Sequence, residues 1–261
     1  MQNTDIFSLL PLWAVFLVTL VLVLISVEGG YQWASRKRRA EVEKEAPVGG
    51  MVGAMLGLLA FLLAFMFSMT VDRFFDRKVA LLNEVNAIRT TYLQTALIPE
   101  PHRTEVCKIL RKYVDERLRW AGVKVIQPGR PTASADELLD RLWVQAAAVG
   151  QNSSEVIAEF VGSVNQVISL HTERIMVRER SHIPGPLWGA LYFLTTLALA
   201  MMGYHCGVAG TARSPLMVAV AIGFSTVIML IADIDRPGEG FINVSQQPMI
   251  ELRDWMDRAI P

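Results

Sequence analysis

The sequence predicts an all-α protein: a four-span polytopic membrane protein whose helical extramembrane bundle is continuous with the second and third spans. Of its 261 residues, 52% are hydrophobic and 19% are charged, so the chain is more apolar and less charged than an average soluble domain. The apolar residues are concentrated in four blocks, each about twenty residues long, which is the length that crosses a bilayer as a helix. The long polar region between the second and third blocks keeps a helical period and shows no strand alternation.

This interpretation divides the chain into four parts. Residues 1–71 hold the first two spans and a short basic loop, and residues 72–182 form the helical extramembrane domain. Residues 183–233 form a transmembrane hairpin, and residues 234–261 form a C-terminal segment with an amphipathic helix.

The first span is predicted from Leu9 to Val27. A cleavable signal peptide would begin with a basic stretch, but the only charged residue before this block is Asp5, so we expect an uncleaved span. A strongly basic loop, RKRRAEVEKE, follows at residues 36–45. Because short loops rich in Lys and Arg stay in the cytoplasm, this loop predicts that the extramembrane domain lies on the opposite side of the membrane.

The second span, from Gly50 to about Val71, is the one expected to line a pore. Small residues recur along one stripe of it, and such stripes let helices approach closely within lipid. Phe61, Phe65 and Met69 follow one another at steps of four beside that stripe. If several copies met with this face inward, rings of Phe would form a hydrophobic constriction that gates by dewetting; the alternative is ordinary contact with lipid or neighbouring helices. The predicted pore-lining and gate residues are Gly57, Phe61, Phe65, Ser68 and Met69.

The helical pattern does not stop where this apolar block ends. One helical face continues at three- and four-residue steps from Phe75 to Leu93, with Asn86 and Arg89 among its mainly apolar residues and without Gly or Pro, so the second span is expected to continue as one long helix. Pro99 and Pro101 end it, because proline lacks an amide donor and disfavours helix in the residue before it. A second soluble helix is expected over about 101–120, followed by a turn-rich loop over 122–131.

Two capping patterns open the remaining helices of the extramembrane domain. Ser134 with Glu137 is a capping box for a helix reaching about Val149, and Asn152 with Glu155 opens a helix reaching about Ser181. Several polar residues interrupt these long helices. They are expected to face water or to fix the register of the bundle, and the alternative is that they line a hydrated vestibule. These residues are Asn83, Asn86, Asn165, His171 and Arg174.

The third and fourth spans are predicted from Leu187 to Gly203 and from Leu216 to Ala232. The short turn between them implies an antiparallel pair. After the fourth span, the segment from Met249 to Ile260 alternates apolar and charged residues, so it is expected to lie along the membrane interface or to dock on the bundle.

Charged residues collect where the second and fourth spans reach water. They are the predicted pore-end charges: Asp72, Arg73, Asp233, Asp235 and Arg236. The carboxylates of Asp233, Asp235 and Glu239 would also suit a hard cation, which prefers oxygen ligands. The alternative to a cation site is that these charges end the helix and form local ion pairs.

No enzyme motif is present: the sequence has no nucleophile elbow, phosphate-binding loop or paired-histidine zinc motif. The four histidines lie on different elements and the two cysteines are far apart, so we expect no catalytic residue, no metal site and no cofactor. Lys plus Arg equals Asp plus Glu, at 25 each, which argues against nucleic-acid binding. The expected partners are the lipid bilayer, an inorganic ion and further copies of the chain.

Five segments resemble the bacterial bestrophin-like family of membrane proteins. They are LLAFLLAFMFSM followed by DRF at the second span, NEVNAIRTTYL and IPEPHR after it, HTER before the third span, and DIDRPGEGF after the fourth. The likeness extends from about residue 50 to residue 248 and so covers most of the chain.

This resemblance implies a function as well as a fold. True bestrophins are pentameric anion channels with four spans per subunit, a helical extramembrane domain and a hydrophobic neck on the second span. The chain is therefore expected to form an oligomeric, anion-conducting channel in the bacterial inner membrane. It lacks a recognisable proline-rich bestrophin signature, and bestrophins hold their helical domain inside the cell, opposite to the side that the basic loop predicts. The alternative function is a non-conducting membrane scaffold or accessory subunit that recruits a partner through its helical domain.

Overall fold

The structure, a computed structural model, describes residues 11–38, 48–121, 131–150, 155–180, 182–210, 215–236 and 240–259. Within these ranges the chain forms eight α-helices and a short 3-10 turn, which confirms the all-α prediction. Most of the basic loop, the turn-rich loop, Asn152 and Glu239 lie outside the described residues. The helices are α1 (Leu12–Arg38), α2 (Val48–Gln94), α3 (His102–Ala121), α4 (Pro131–Gly150), α5 (Glu155–Arg180), α6 (Gly185–Ala209), α7 (Pro215–Asp235) and α8 (Gln247–Arg258).

Four of these helices, α1, α2, α6 and α7, are long and apolar enough to cross a membrane. The predicted four-span architecture is therefore confirmed, as is the single long helix that carries the second span beyond its apolar block to Gln94. The chain divides after Asp72 into two compact units. The spanning unit contains residues 1–72, 182–236 and 240–242, and the helical unit contains residues 73–181, 237–239 and 243–261.

In the spanning unit, α1 and α6 cross so closely that glycine is required at the contact. A Cβ atom on Gly30 would lie 2.0 Å from the carbonyl oxygen of Ala200, and one on Gly203 would lie 2.0 Å from that of Val27. The first span was predicted to end at Val27, but α1 continues to Arg38. Gly30 and Gly203 let the two backbones meet in this crossing, as small residues do in membrane helices.

The second span contributes one face to the core of the spanning unit. Leu59, Leu63 and Met66 are buried there in a cluster with Trp188 and Ile228. Burying these side chains orients the part of α2 that lies in the apolar block, and so decides which of its residues remain exposed.

The helical unit has a separate core built from α3, α4, α5, α8 and the later part of α2. Its largest fully buried side chains include those of Tyr113, Phe160 and Leu142. One predicted boundary is wrong: α4 begins at Pro131 rather than after Ser134, because proline is well suited to the first turn of a helix. The Ser134 hydroxyl donates instead to Glu116 Oε1, at 2.8 Å.

The C-terminal helix α8 docks on the helical unit, which decides between the two placements expected for this segment. Met249, Leu252 and Met256 are buried in the core of that unit. The Tyr92 hydroxyl donates to the carbonyl oxygens of Met256 and Ala259, at 3.4 and 3.3 Å. These bonds satisfy carbonyl groups that the end of a helix leaves without an intrahelical donor.

Candidate functional site

The predicted pore-lining residues lie on an exposed face of α2. Phe61 and Phe65 are 70% and 53% exposed, Gly57 and Ser68 are also exposed, and Met69 is half-buried. A Cβ atom on Gly57 would meet nothing within 4 Å. The described part of this chain therefore leaves this face open to lipid or to another molecule.

The exposed and buried faces of α2 are on roughly opposite sides of the helix. An α-helix with 3.6 residues per turn rotates by about 100° per residue. Viewed down the axis, the directions of Phe61 and Leu59 differ by roughly 160°, and those of Phe61 and Met69 differ by roughly 80°. Gly57, Phe61 and Ser68 fall within one narrow sector, with Phe65 at its edge. Because Leu59, Leu63 and Met66 are buried, the core fixes the orientation of the aromatic residues outward from it.

The predicted pore-end charges have different surroundings. Asp72 is exposed and Arg73 is half-buried, whereas Asp233, Asp235 and Arg236 are buried. A role of these five residues at the end of a pore stays a prediction.

The two buried aspartates accept hydrogen bonds from the backbone. The amides of Phe241 and Ile242 donate to the Asp233 carboxylate at 2.7 and 3.0 Å, and the amide of Ile183 donates to Asp235 Oδ1 at 2.9 Å. By accepting these hydrogen bonds, the two carboxylates hold the backbone at residues 183 and 241–242 against the end of α7. Among the described residues, no group of three His, Cys, Asp or Glu side chains is placed to hold a metal ion.

Replacing Gly240 by alanine is expected to break the contact between Asp233 and the segment after it. The new Cβ atom would lie 2.1 Å from Asp233 Oδ1 and 2.8 Å from the Asp233 carbonyl oxygen. Separating these atoms removes two charge-assisted hydrogen bonds, and we expect a loss of about 1–3 kcal/mol, measured as a lower melting temperature of the purified protein in detergent. Gly189→Ala is the control, because a Cβ atom there meets nothing within 4 Å. Equal melting temperatures for the two variants would contradict this role of Gly240.

A buried polar cluster occupies the interior of the helical unit. The Glu84 side chain, on α2, is completely buried and forms ion pairs with Arg117 of α3, at 3.1 Å, and with Arg174 of α5. The Tyr113 hydroxyl donates to Glu84 Oε1 at 2.5 Å and lies 2.8 Å from His171 Nδ1. His171 Nε2 in turn lies 3.1 Å from Asp136 Oδ1.

This cluster joins several elements of the helical unit. Arg174, besides contacting Glu84, donates to the Gln246 side chain at the start of α8, at 3.1 Å. Burial, and then the nearby Glu84 carboxylate, raise the pKa of Tyr113 well above its ordinary value, so its phenol stays protonated. Breaking a buried ion pair by removing one partner is costly, so the cluster constrains how α2, α3 and α5 pack.

The sequence pattern predicts that His171 and Arg174 face water or fix the register of the bundle, and it gives no prediction for Glu84. Of the polar residues that interrupt the long helices, Asn83, Asn86 and Asn165 are exposed, while His171 is buried. The signal for Glu84 is present: it stands among Leu81, Val85 and Ile88, on the apolar side of its helix. A carboxylate on such a side needs a buried cation, and only the tertiary structure shows which residues supply it.

Comparison with known proteins identifies the family. The bestrophin-like domain matches residues 14–249 of this chain. The chain belongs to the bestrophin-like family. No curated relative matches its sequence.

The bestrophin-like chain is also similar in fold to solved structures. A bacterial bestrophin homologue from Klebsiella pneumoniae, solved by Zn-SAD phasing, has a TM-score of 0.63 at 14% identity, over 94% of this chain and 95% of that one. A point mutant of the homologue gives a TM-score of 0.63 at 15% identity, over 95% and 96%. At these identities the likeness establishes the fold alone.

Proposed function

We propose that this bestrophin-like chain forms an oligomeric ion channel in the bacterial inner membrane, with α2 of each copy lining the pore. The observation that supports it is the orientation of α2. Its aliphatic face is buried in the spanning unit, while Phe61 and Phe65 stand exposed on the other side. An exposed aromatic face beside a stripe of small residues suits close packing of several copies around an axis.

In such an assembly the Phe side chains act as a hydrophobic neck. Rings of Phe61 and Phe65 exclude water when the neck is narrow, and ions that cannot shed their hydration shell do not pass. Ser68 and the half-buried Met69 lie on the next turn towards Asp72. The resemblance to bestrophins favours a pentamer and anion conduction, without catalysis and without a cofactor.

The proposal is tested by recording currents from purified protein in planar bilayers. We expect currents in the wild type, and a higher open probability in Phe61→Ala and Phe65→Ala, because alanine widens the neck and allows it to stay hydrated. The reversal potential in a KCl gradient gives the ion selectivity. If the channel conducts anions, the reversal potential lies at the chloride equilibrium potential.

A matched control is Phe193→Ala. Phe193 is 65% exposed on α6, so this variant removes an equally large exposed ring from a helix that is not assigned to the pore. If the control changes the current as much as Phe61→Ala does, α2 is not the gate. If no variant and no condition gives a current, the channel proposal is wrong and the scaffold alternative gains support.

A further inference from the structure

Four side chains in the helical unit form a row that crosses from α2 to α4. The Tyr113 hydroxyl lies between Glu84 Oε1, at 2.5 Å, and His171 Nδ1, at 2.8 Å. The other ring nitrogen of His171, Nε2, faces Asp136 Oδ1 at 3.1 Å. The row therefore contains three polar contacts, and each of them needs one hydrogen to be a hydrogen bond.

The protonation state of Glu84, at one end of the row, determines where the hydrogens of the row lie. This carboxylate is fully buried between Arg117 and Arg174, so it is ionised and only accepts. The single hydrogen of the Tyr113 hydroxyl must then point to Glu84. Consequently the Tyr113 oxygen can only accept from His171, and Nδ1 of His171 must carry a hydrogen.

A neutral imidazole has one N–H group, and the row uses it at Nδ1. The lone pair of Nε2 then faces the Asp136 carboxylate, which is also an acceptor, so the third contact has no hydrogen. Two protonated ring nitrogens, together with the Tyr113 hydroxyl, would supply a hydrogen to each of the three contacts. The row is one proton short whenever His171 is neutral.

We propose that His171 is a proton-binding switch of the helical unit. The neutral ring carries its hydrogen on Nδ1, so that Nε2 and the Asp136 carboxylate face each other as two acceptors. On acidification Nε2 binds a proton, and the contact with Asp136 becomes an ion pair. In acid this ion pair links α5 to the first turns of α4, although burial and Arg117 make the protonated ring costlier in the folded chain than in the unfolded one. The inference does not rest on the proposed conduction, because every group involved belongs to the helical unit.

The charged and titratable groups around His171 set the pH range of this switch. They come from every element packed against it: Glu84 of α2, Tyr113 and Arg117 of α3, Asp136 of α4, and Arg174 of α5. Burial, and then Arg117, lower the pKa of His171 below its ordinary value, although Glu84 and Asp136 oppose the shift. The proton is therefore taken up below about pH 6.5.

The effect of this shift on stability has a definite sign. In the unfolded chain His171 binds its proton near pH 6.5, whereas the folded chain binds it only at lower pH. Between these two values the unfolded state holds more protons, so stability falls as the pH falls. Above pH 6.5 both states are neutral at His171 and this dependence disappears.

The test is nitrogen-15 NMR of the full-length protein in detergent, labelled at histidine, with the His171 signals assigned by their loss in His171→Gln. We expect the Nδ1–H tautomer at pH 8 and a cation with both nitrogens protonated in acid. Asp136→Asn removes the negative charge that stabilises the second proton and offers Nε2 an amide donor, so it shifts the titration of His171 to lower pH. Tyr113→Phe removes the acceptor for Nδ1–H, and the neutral ring then changes to the Nε2–H tautomer.

Glu137→Gln is the control, because Glu137 is an exposed neighbour of Asp136 on the same helix, and it leaves both tautomer and titration unchanged. Asp136 is 54% exposed at its side chain, so Asp136→Asn keeps the test available if Tyr113→Phe does not fold. An Nε2–H tautomer in the neutral wild type, or a titration that Asp136→Asn does not move, would overturn the proposal.

Discussion

Gly30→Ala is expected to force α1 and α6 apart and to destabilise the spanning unit. The added Cβ atom would lie 2.0 Å from the carbonyl oxygen of Ala200 and 3.0 Å from the amide nitrogen of Tyr204. Both are backbone atoms, so no side-chain rotation can relieve the clash and the helices themselves must move. Overpacking of this kind costs about 1–3 kcal/mol or more, and the measurement is the melting temperature and yield of monodisperse protein in detergent.

The neighbouring Gly29 supplies the control for this prediction. A Cβ atom on Gly29 meets nothing within 4 Å, although it lies on the same helix, one residue away. Gly29→Ala should be neutral or slightly stabilising, because alanine is favoured over glycine in a helix by about 1 kcal/mol. A Gly30→Ala variant as stable as Gly29→Ala would show that α1 and α6 do not cross at this distance.

Glu84→Gln is expected to have the largest effect in the helical unit. The substitution keeps the size of the side chain but removes the charge that Arg117 and Arg174 share. Both guanidinium groups are then left largely buried without a counter-charge, and breaking a buried pair in this way costs about 3–5 kcal/mol. The measurement is urea or thermal unfolding followed by circular dichroism.

An exposed ion pair of the same unit serves as the comparison. Glu105 and Arg141 lie 2.8 Å apart with side chains that are 36% and 49% exposed. Such pairs contribute about 0–1 kcal/mol, so Glu105→Gln should change stability little. Similar losses in the two variants would mean that the Glu84 cluster does not hold the bundle together.

Much of the fold could be predicted because the signals for it are local. Twenty-residue apolar blocks identify spans, and an uninterrupted helical period from Phe75 to Leu93 identifies the extension of α2, whatever the rest of the chain does. The crossing of α1 and α6 could not be predicted in this way. Gly29 and Gly30 are neighbours in sequence, yet only Gly30 faces α6, because a rotation of about 100° per residue separates them.

The same distinction applies to the candidate site. The spacing of the residues predicts Phe61 and Phe65 on one file beside the stripe of small residues that holds Gly57, but the exposure of these side chains depends on the residues that bury the opposite side of α2. Asp233 and Asp235 were recognised as charges at the end of a span, whereas their backbone partners come from Ile183, Phe241 and Ile242. Glu84 was missed because its counter-charges lie on α3 and α5, far along the chain.

The most direct test of the channel proposal is cryo-electron microscopy of the purified protein in lipid nanodiscs. The proposal predicts a closed ring of identical copies with α2 innermost and with Phe61 and Phe65 facing a continuous path along the symmetry axis. A monomer, or an assembly in which these two rings contact lipid and no path follows the axis, would contradict it.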